Sequence, residues 1–373
     1  MLGTALVGPP TPMTSWWVPA GVMLGTVAAV VGLVVLRWRR GRPRRRSPIV
    51  VIAVVGVVGG LLLGLNSYAG YVTTPAAIPP VLGFTGPPRV HGDRDLPAGR
   101  GSAVVSVRLG SPRLSVPAQT MYVYLPPGYR GDTRRYPVLY LYGGWPGRSN
   151  DWLIAGRLRA VLDELIARGQ ARPMIVAMPD TTLGGLHDTE CLDAVSGPKL
   201  ESFLTGTAAD DTVPGYLDRH FRTIADRRGR ALAGMSSGGF CALNLGLHHT
   251  GRFGSIAALE PYPTAGAGPE STALQDRPDL LRHNRILDYL PTMRFAAPVP
   301  VLLDWPRHAS APERRDNVRL AAALRACGQH VTTRTEDSAH TWHLAQLAAP
   351  AMLTFVSAHL APAGTVTPRG TPR

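Results

Sequence analysis

Residues 230–247 read Arg230-Ala-Leu-Ala-Gly234-Met-Ser236-Ser-Gly238-Gly-Phe240-Cys-Ala-Leu-Asn-Leu-Gly-Leu247. A short β-prone run enters Gly234-Met-Ser236-Ser-Gly238, and an apolar run carrying Phe240, Leu243, Leu245 and Leu247 leaves it. Strand, sharp turn and helix is the geometry that holds a serine hydroxyl exposed at the top of a parallel sheet. The glycines two positions to either side have a steric reason, because a serine at such a turn takes a strained backbone and neighbouring side chains would collide. A Gly/Ser turn that binds nothing would spell the same letters in a chain with 41 glycines, so the flanking strand and helix carry the reading.

Outward from this turn, β-branched and aromatic runs at 104–109, 121–125, 136–142, 174–178, 230–233, 255–259, 299–303 and 331–335 read as strands. Amphipathic stretches at 151–168, 237–249, 312–327 and 341–359 read as helices. Two leading hairpin-like strands followed by β-α alternation predict an α/β fold with a doubly wound, mostly parallel sheet over residues 101–362. In such sheets the chemistry sits at the carboxyl ends of the strands.

A serine hydroxyl needs a base, and Thr335-Glu-Asp-Ser-Ala-His340-Thr-Trp342 delivers a histidine after the last strand and before the last helix. His248 and His249 instead read as favourable cations at a helix C-terminus. His340 and His343 lie three apart without an evident third ligand, so no metal site is expected. The base needs an acid to fix its tautomer, expected in the loop after the preceding strand. Two residues contend: Asp304, which falls early at the strand end, and Glu313, which is favoured although it also suits the first turn of the next helix; Asp316 is more distant.

The amino-terminal part has another character. Residues 16–36 carry no charge, and no charge appears from Ser47 to Pro88, so helices over about 16–36 and 48–68 are each long enough to span a bilayer. Trp16, Trp17, Tyr68 and Tyr71 suit its interfaces. Between the spans lie Arg37, Arg39, Arg40, Arg42, Arg44, Arg45 and Arg46, and the positive-inside bias holds such a loop in the cytoplasm. A signal peptide would place its charges before the apolar run, and here they follow it. The organisation expected is therefore a membrane anchor over 1–72, a Pro/Gly-rich linker over 73–100, an extracytoplasmic domain over 101–362 and a disordered tail over 363–373. The formal charge of +14 divides accordingly: from residue 93 onward there are 31 basic against 25 acidic residues, a balance that gives no reason to invoke nucleic acid.

Five segments in this order and spacing resemble a known group: Tyr122-Val-Tyr-Leu-Pro-Pro-Gly-Tyr129, Tyr136-Pro-Val-Leu-Tyr-Leu-Tyr-Gly-Gly-Trp-Pro-Gly147, Ile175-Val-Ala-Met-Pro-Asp180, Gly234-Met-Ser-Ser-Gly-Gly239 and Ala339-His-Thr-Trp342. The chain is similar, over roughly residues 119–347, to the esterase D branch of the α/β-hydrolases, which includes S-formylglutathione hydrolases, feruloyl esterases and secreted mycolyltransferases. The resemblance implies attack by Ser236 on an acyl ester, His340 as general base, and an oxyanion held by the backbone N–H groups of Trp145 and Ser237. It implies no metal or organic cofactor.

The chain departs from the group at Gly143, where a histidine or aspartate is common, and in lacking an aspartate where a small esterase places its acid. A glutamate displaced along that loop, as in the mycolyltransferase branch, is what favours Glu313 over Asp304. Cys191 and Cys241 could pair in an oxidising exterior and staple their loop to the nucleophile helix. The function expected is a membrane-anchored serine esterase or acyltransferase acting on an acyl ester, with envelope lipid or glycolipid among the candidates and membrane lipid around the anchor. The competing expectation is a catalytically inactive hydrolase fold serving as a binding or scaffold module.

Overall fold

The computed structural model describes residues 12–39, 47–184, 187–207, 209–266 and 273–364. Arg40 to Arg46 of the arginine cluster and residues 365–373 of the expected tail lie outside them. The described chain divides into two units, one of residues 87–340 with 344–364 and one of residues 12–86 with 341–343.

In the smaller unit two apolar helices, α1 (Trp17–Arg39) and α2 (Ser47–Ala69), are each long enough to cross a membrane. They pack through glycine. A Cβ on Gly56 would lie 2.0 Å from Oγ1 of Thr26, and one on Gly60 would lie 2.5 Å from Sδ of Met23. The spacing of four puts both on one face of α2, where small residues let helix backbones approach closely. The Thr26 hydroxyl donates to Val22 O at 2.7 Å, so its polar group is satisfied within its own helix.

The larger unit is built on an eight-stranded sheet in the order β1-β2-β4-β3-β5-β6-β7-β8. The strands are β1 (Ala103–Ser111), β2 (Val116–Leu125), β3 (Val138–Tyr142), β4 (Ile175–Met178), β5 (Arg230–Met235), β6 (Ser255–Leu259), β7 (Pro300–Pro306) and β8 (His330–Glu336). β1 and β2 pair antiparallel and β2 runs antiparallel to β4, while the remaining pairs are parallel. Every residue of β3, β4, β5 and β6 is buried, which is why these strands read as continuous apolar runs: helices cover both faces. The covering helices include α3 (Leu158–Ala167), α4 (Ser237–His248), α5 (Ala311–Ala326) and α6 (Trp342–His359).

The helix expected over 151–168 is broken. A short helix, Asp151–Ile154, ends before α3, because Gly156 sits tight against Trp152 and Arg157 takes a positive φ of 50°. The break lets the buried Trp152 indole donate to Tyr142 O at 2.9 Å, tying this turn to the carboxyl end of β3. Residues from 87 onward in the expected linker also have packing partners: Val90 is buried, and Asp93 accepts from Tyr129 Oη at 2.6 Å and from Arg222 Nη1 at 2.8 Å.

At the amino end of β5, away from Ser236, the buried Arg230 guanidinium pairs with Asp218, whose other oxygen accepts from Thr223 Oγ1 at 2.6 Å. Removing one member of a buried pair strands the other charge. Arg230→Met is therefore expected to lower stability by about 3–5 kcal/mol in equilibrium urea unfolding, and adding Asp218→Leu is expected to recover most of that loss.

Candidate active site

Ser236 stands between the last residue of β5 and the first of α4, at φ 59° and ψ −123°. Only close packing makes that backbone tolerable. A Cβ on Gly234 would lie 2.1 Å from Gly238 O, and one on Gly238 would lie 2.4 Å from Gly143 O and 2.6 Å from Tyr142 O. The Ser236 N–H donates to Leu259 O at 2.9 Å, and its carbonyl accepts from Phe240 N at 2.9 Å, so the turn is fastened both to β6 and to its own helix. The hydroxyl remains at a partly exposed position.

The residue after Leu259 is Glu260, and here the structure departs from the sequence reading. Nδ1 of His340 lies 3.0 Å from Oε2 of Glu260, whose side chain is 3% exposed. Glu260 reaches this place with a positive φ of 47°, its N–H donating to Asp304 O at 2.6 Å as an extension of the ladder between β6 and β7. Burial pushes its carboxyl above the usual range, with the His340 hydrogen bond and charge opposing. For His340, burial disfavours the cation, but the Glu260 hydrogen bond and charge, with a smaller contribution from Glu313, outweigh it and raise the imidazole above its usual value.

Of the two acids favoured by sequence, Asp304 is engaged elsewhere, while Glu313 is tied into a helix cap with a carboxylate oxygen within 4.8 Å of an imidazole nitrogen of His340. Asp304 is not in a loop: β7 extends past it to Pro306, and Asp304 is paired in register with Leu259 on one side and Arg334 on the other. Its carboxyl is fully buried, with Oδ2 3.4 Å from Nε of Arg334, and burial, aided by nearby Glu336, pushes it up to about 7. Glu313 lies in the first turn of α5, where it closes a capping box: its Oε2 accepts from Ser310 N at 2.7 Å, and Ser310 Oγ accepts from Glu313 N at 3.4 Å. The carboxylate against Nδ1 is thus Glu260, because β6 ends beside the serine turn while β7 carries Asp304 into the sheet interior.

Ligand-type atoms of Glu260, Glu313 and His340 all lie within 4.8 Å of one another, the only group of three metal-ligating side chains this close among the described residues. Glu260 and His340 also form the ion pair, and Glu313 the helix cap.

Facing the serine, the β3 loop brings Gly144 so close that a Cβ there would lie 3.2 Å from Cβ of Ser236. This puts Trp145, the first expected oxyanion donor, beside the turn. Ser237, the second, opens α4, and a first-turn N–H has no acceptor within its own helix. Its side chain is spoken for: Ser237 Oγ donates to Asp188 Oδ1 at 2.6 Å. Burial raises the Asp188 carboxyl, while this hydroxyl and the Glu190 N–H favour its charged form.

The same loop carries Glu190, which accepts from Tyr262 Oη at 2.8 Å and Gly266 N at 2.7 Å, and Cys191, joined to Cys241 in a disulfide. Tyr262 in turn stacks on Phe240 of α4 with ring centroids 5.0 Å apart. Loop, nucleophile helix and β6 loop are therefore fastened by a covalent bond, two buried carboxylates and a ring pair.

A strained serine at the end of the fifth strand, a histidine after the eighth, and glycine backbone against the serine form the constellation of the α/β-hydrolase fold. Solved structures agree with this architecture: a ferulic acid esterase superposes with a TM-score of 0.62 at 26% identity, covering 70% of this chain and 100% of that one. An S-formylglutathione hydrolase from Agrobacterium tumefaciens superposes with a TM-score of 0.56 at 19% identity over 71% of this chain and 98% of that one, a likeness of fold.

Among curated proteins, an endo-1,4-beta-xylanase/feruloyl esterase of Xylanibacter ruminicola is 38% identical over 125 residues, 32% of this chain and 16% of the relative. An esterase of Mycobacterium tuberculosis is 34% identical over 136 residues, 36% of this chain and 27% of the relative. The chain thus spans well under half the length of these two relatives. Residues 117–346, more than half of the chain and including Ser236, Glu260 and His340, match the family described as "Putative esterase". The chain belongs to this esterase family.

Proposed function

We propose that the chain is a serine esterase tethered to a membrane through α1 and α2. The observation that carries the reading is the 3.0 Å approach of His340 Nδ1 to Glu260, the residue next to the carbonyl that fastens Ser236. Ser236 attacks the acyl carbonyl while His340 takes its proton, and Glu260 holds the imidazole in the tautomer that leaves the other nitrogen free. The N–H groups of Trp145 and Ser237 hold the oxyanion, the latter helped by the amino-terminal end of the α4 dipole. Collapse expels the alcohol, protonated by His340, and leaves an acyl-enzyme. Water then releases the acid, or a second alcohol takes the acyl group as in a transferase. The names of the relatives make esters of ferulic acid the first substrates to assay, with envelope lipids or glycolipids next.

A fluorophosphonate probe is expected to label the wild-type protein at Ser236, and to fail with Ser236→Ala and His340→Ala. Absence of wild-type labelling would support the inactive scaffold instead. In turnover of a p-nitrophenyl ester, Glu260→Gln is expected to lower kcat by about 10²–10⁴. Asp304→Asn is expected to stay within about threefold of wild type, since that carboxyl faces Arg334.

The base must be neutral to act, so kcat/KM rises with pH through the His340 pKa. Because Glu260 raises that pKa, the rise is expected above pH 6.5 in the wild type and at lower pH in Glu260→Gln. A pH profile that does not move would remove Glu260 from the site.

For the tether, the organisation proposed is an anchor over 1–72, a connector over 73–100 and a catalytic domain over 101–362, with an extracytoplasmic domain and a cytoplasmic arginine loop. A reporter fused after Tyr71 is expected to be active only on the outer side; activity confined to the cytoplasm would reverse the topology.

A further inference from the structure

Two carboxylates, not one, stand against His340. The Glu313 ligand oxygen lies within 4.8 Å of both the Glu260 oxygen and the imidazole nitrogen. It is not a wandering surface side chain, because the capping box with Ser310 fixes it at the start of α5. On the adjoining segments, Arg307 and His308 both reach Asp337, at 3.6 and 2.9 Å, and Arg314 donates to the backbone carbonyl of Ala309. The two carboxylates differ in kind, Glu260 being buried and Glu313 solvent-exposed.

We propose that Glu313 is a second positioning residue for His340, supporting the imidazolium from the solvent side while Glu260 holds Nδ1 from within. The proposal rests on the reading of His340 as the general base and Glu260 as its orienting acid. A buried carboxylate alone is costly to keep ionised. An exposed one alone is screened by salt and cannot fix a ring. Together they divide the work: Glu260 sets the tautomer, and Glu313 adds charge stabilisation during proton transfer. Glu313 acts through the imidazole and touches no substrate atom.

The test uses full-length protein in detergent and the variant Glu313→Gln. Glutamine serves the capping box as well as glutamate does, so the helix cap is kept and only the charge is lost. Acting across no more than 4.8 Å at a solvent-exposed position, that charge is expected to account for about half a pH unit of the His340 pKa read from the acid limb of kcat/KM at low salt. The difference from wild type is expected to shrink at about 1 M salt. Glu313→Gln is also expected to lower kcat/KM by a larger factor in the Glu260→Gln background than in wild type, since the remaining carboxylate then bears the imidazolium alone.

An unmoved acid limb together with equal factors in the two backgrounds would reduce Glu313 to a helix cap and overturn the proposal. If instead Glu260→Gln changed neither rate nor limb while Glu313→Gln changed both, the order of the two acids would be reversed, and the reading beneath the proposal would fall with it.

Discussion

A serine held at a positive φ costs roughly 1–3 kcal/mol, and it persists only where the surroundings over-determine it. Here the surroundings are backbone. Gly238 packs on the carbonyls of Tyr142 and Gly143 from β3 and its loop, and the Ser236 N–H is held by Leu259 at the end of β6. The carboxyl ends of three neighbouring parallel strands therefore meet at one residue. That meeting places the surrounding residues: Gly143 and Gly144 continue β3, Ser236 continues β5, and Glu260 continues β6.

The placement of Glu260 against His340 follows from that geometry and from solvation. A carboxylate on β7 would stand one strand further from the serine, and Asp304 is moreover drawn into the sheet, where full burial pushes it up to about 7. Glu260 is buried as well, but it meets an imidazole that gains from its charge, and the pair raises His340 while His340 opposes the rise of Glu260. On the opposite flank, a disulfide and two buried carboxylates hold the 188–191 loop to α4 and to the β6 loop. The nucleophile helix is thus fixed from outside as firmly as the serine is from beneath.

Much of this was legible in the residues. The strand and helix around Ser236 carry strong periodicity and steric glycine signals, and β3 to β6 read as apolar runs because strands covered on both faces need uninterrupted apolar sequence. The order of the chain marks His340, after the last strand and before the last helix. The approach of Glu260 to His340 is not legible from the loop after β7, where an orienting acid is expected. The signal was present in Leu259-Glu260-Pro261, an acidic residue one step beyond the carboxyl end of a strand adjoining the nucleophile strand. Three-dimensional facts decided the remainder. Whether Asp304 lay in a strand or a loop depended on how far β7 ran, and whether Glu313 capped a helix depended on Ser310, a box that sequence marks but does not exclude from other duties. The break of the helix after Ile154 goes with the close local contact of Gly156 on Trp152, whose indole is held to Tyr142 O of β3, a tertiary bond that overrides local periodicity.

The central claim is that Glu260 is the carboxylate on Nδ1 of His340. Proton NMR of the full-length protein in detergent, below the pH at which His340 loses its proton, reports that bond as a far-downfield imidazole N–H resonance. The resonance is expected in the wild type and in Glu313→Gln and is expected to be absent in Glu260→Gln. A resonance that survives Glu260→Gln and disappears in Glu313→Gln would contradict it.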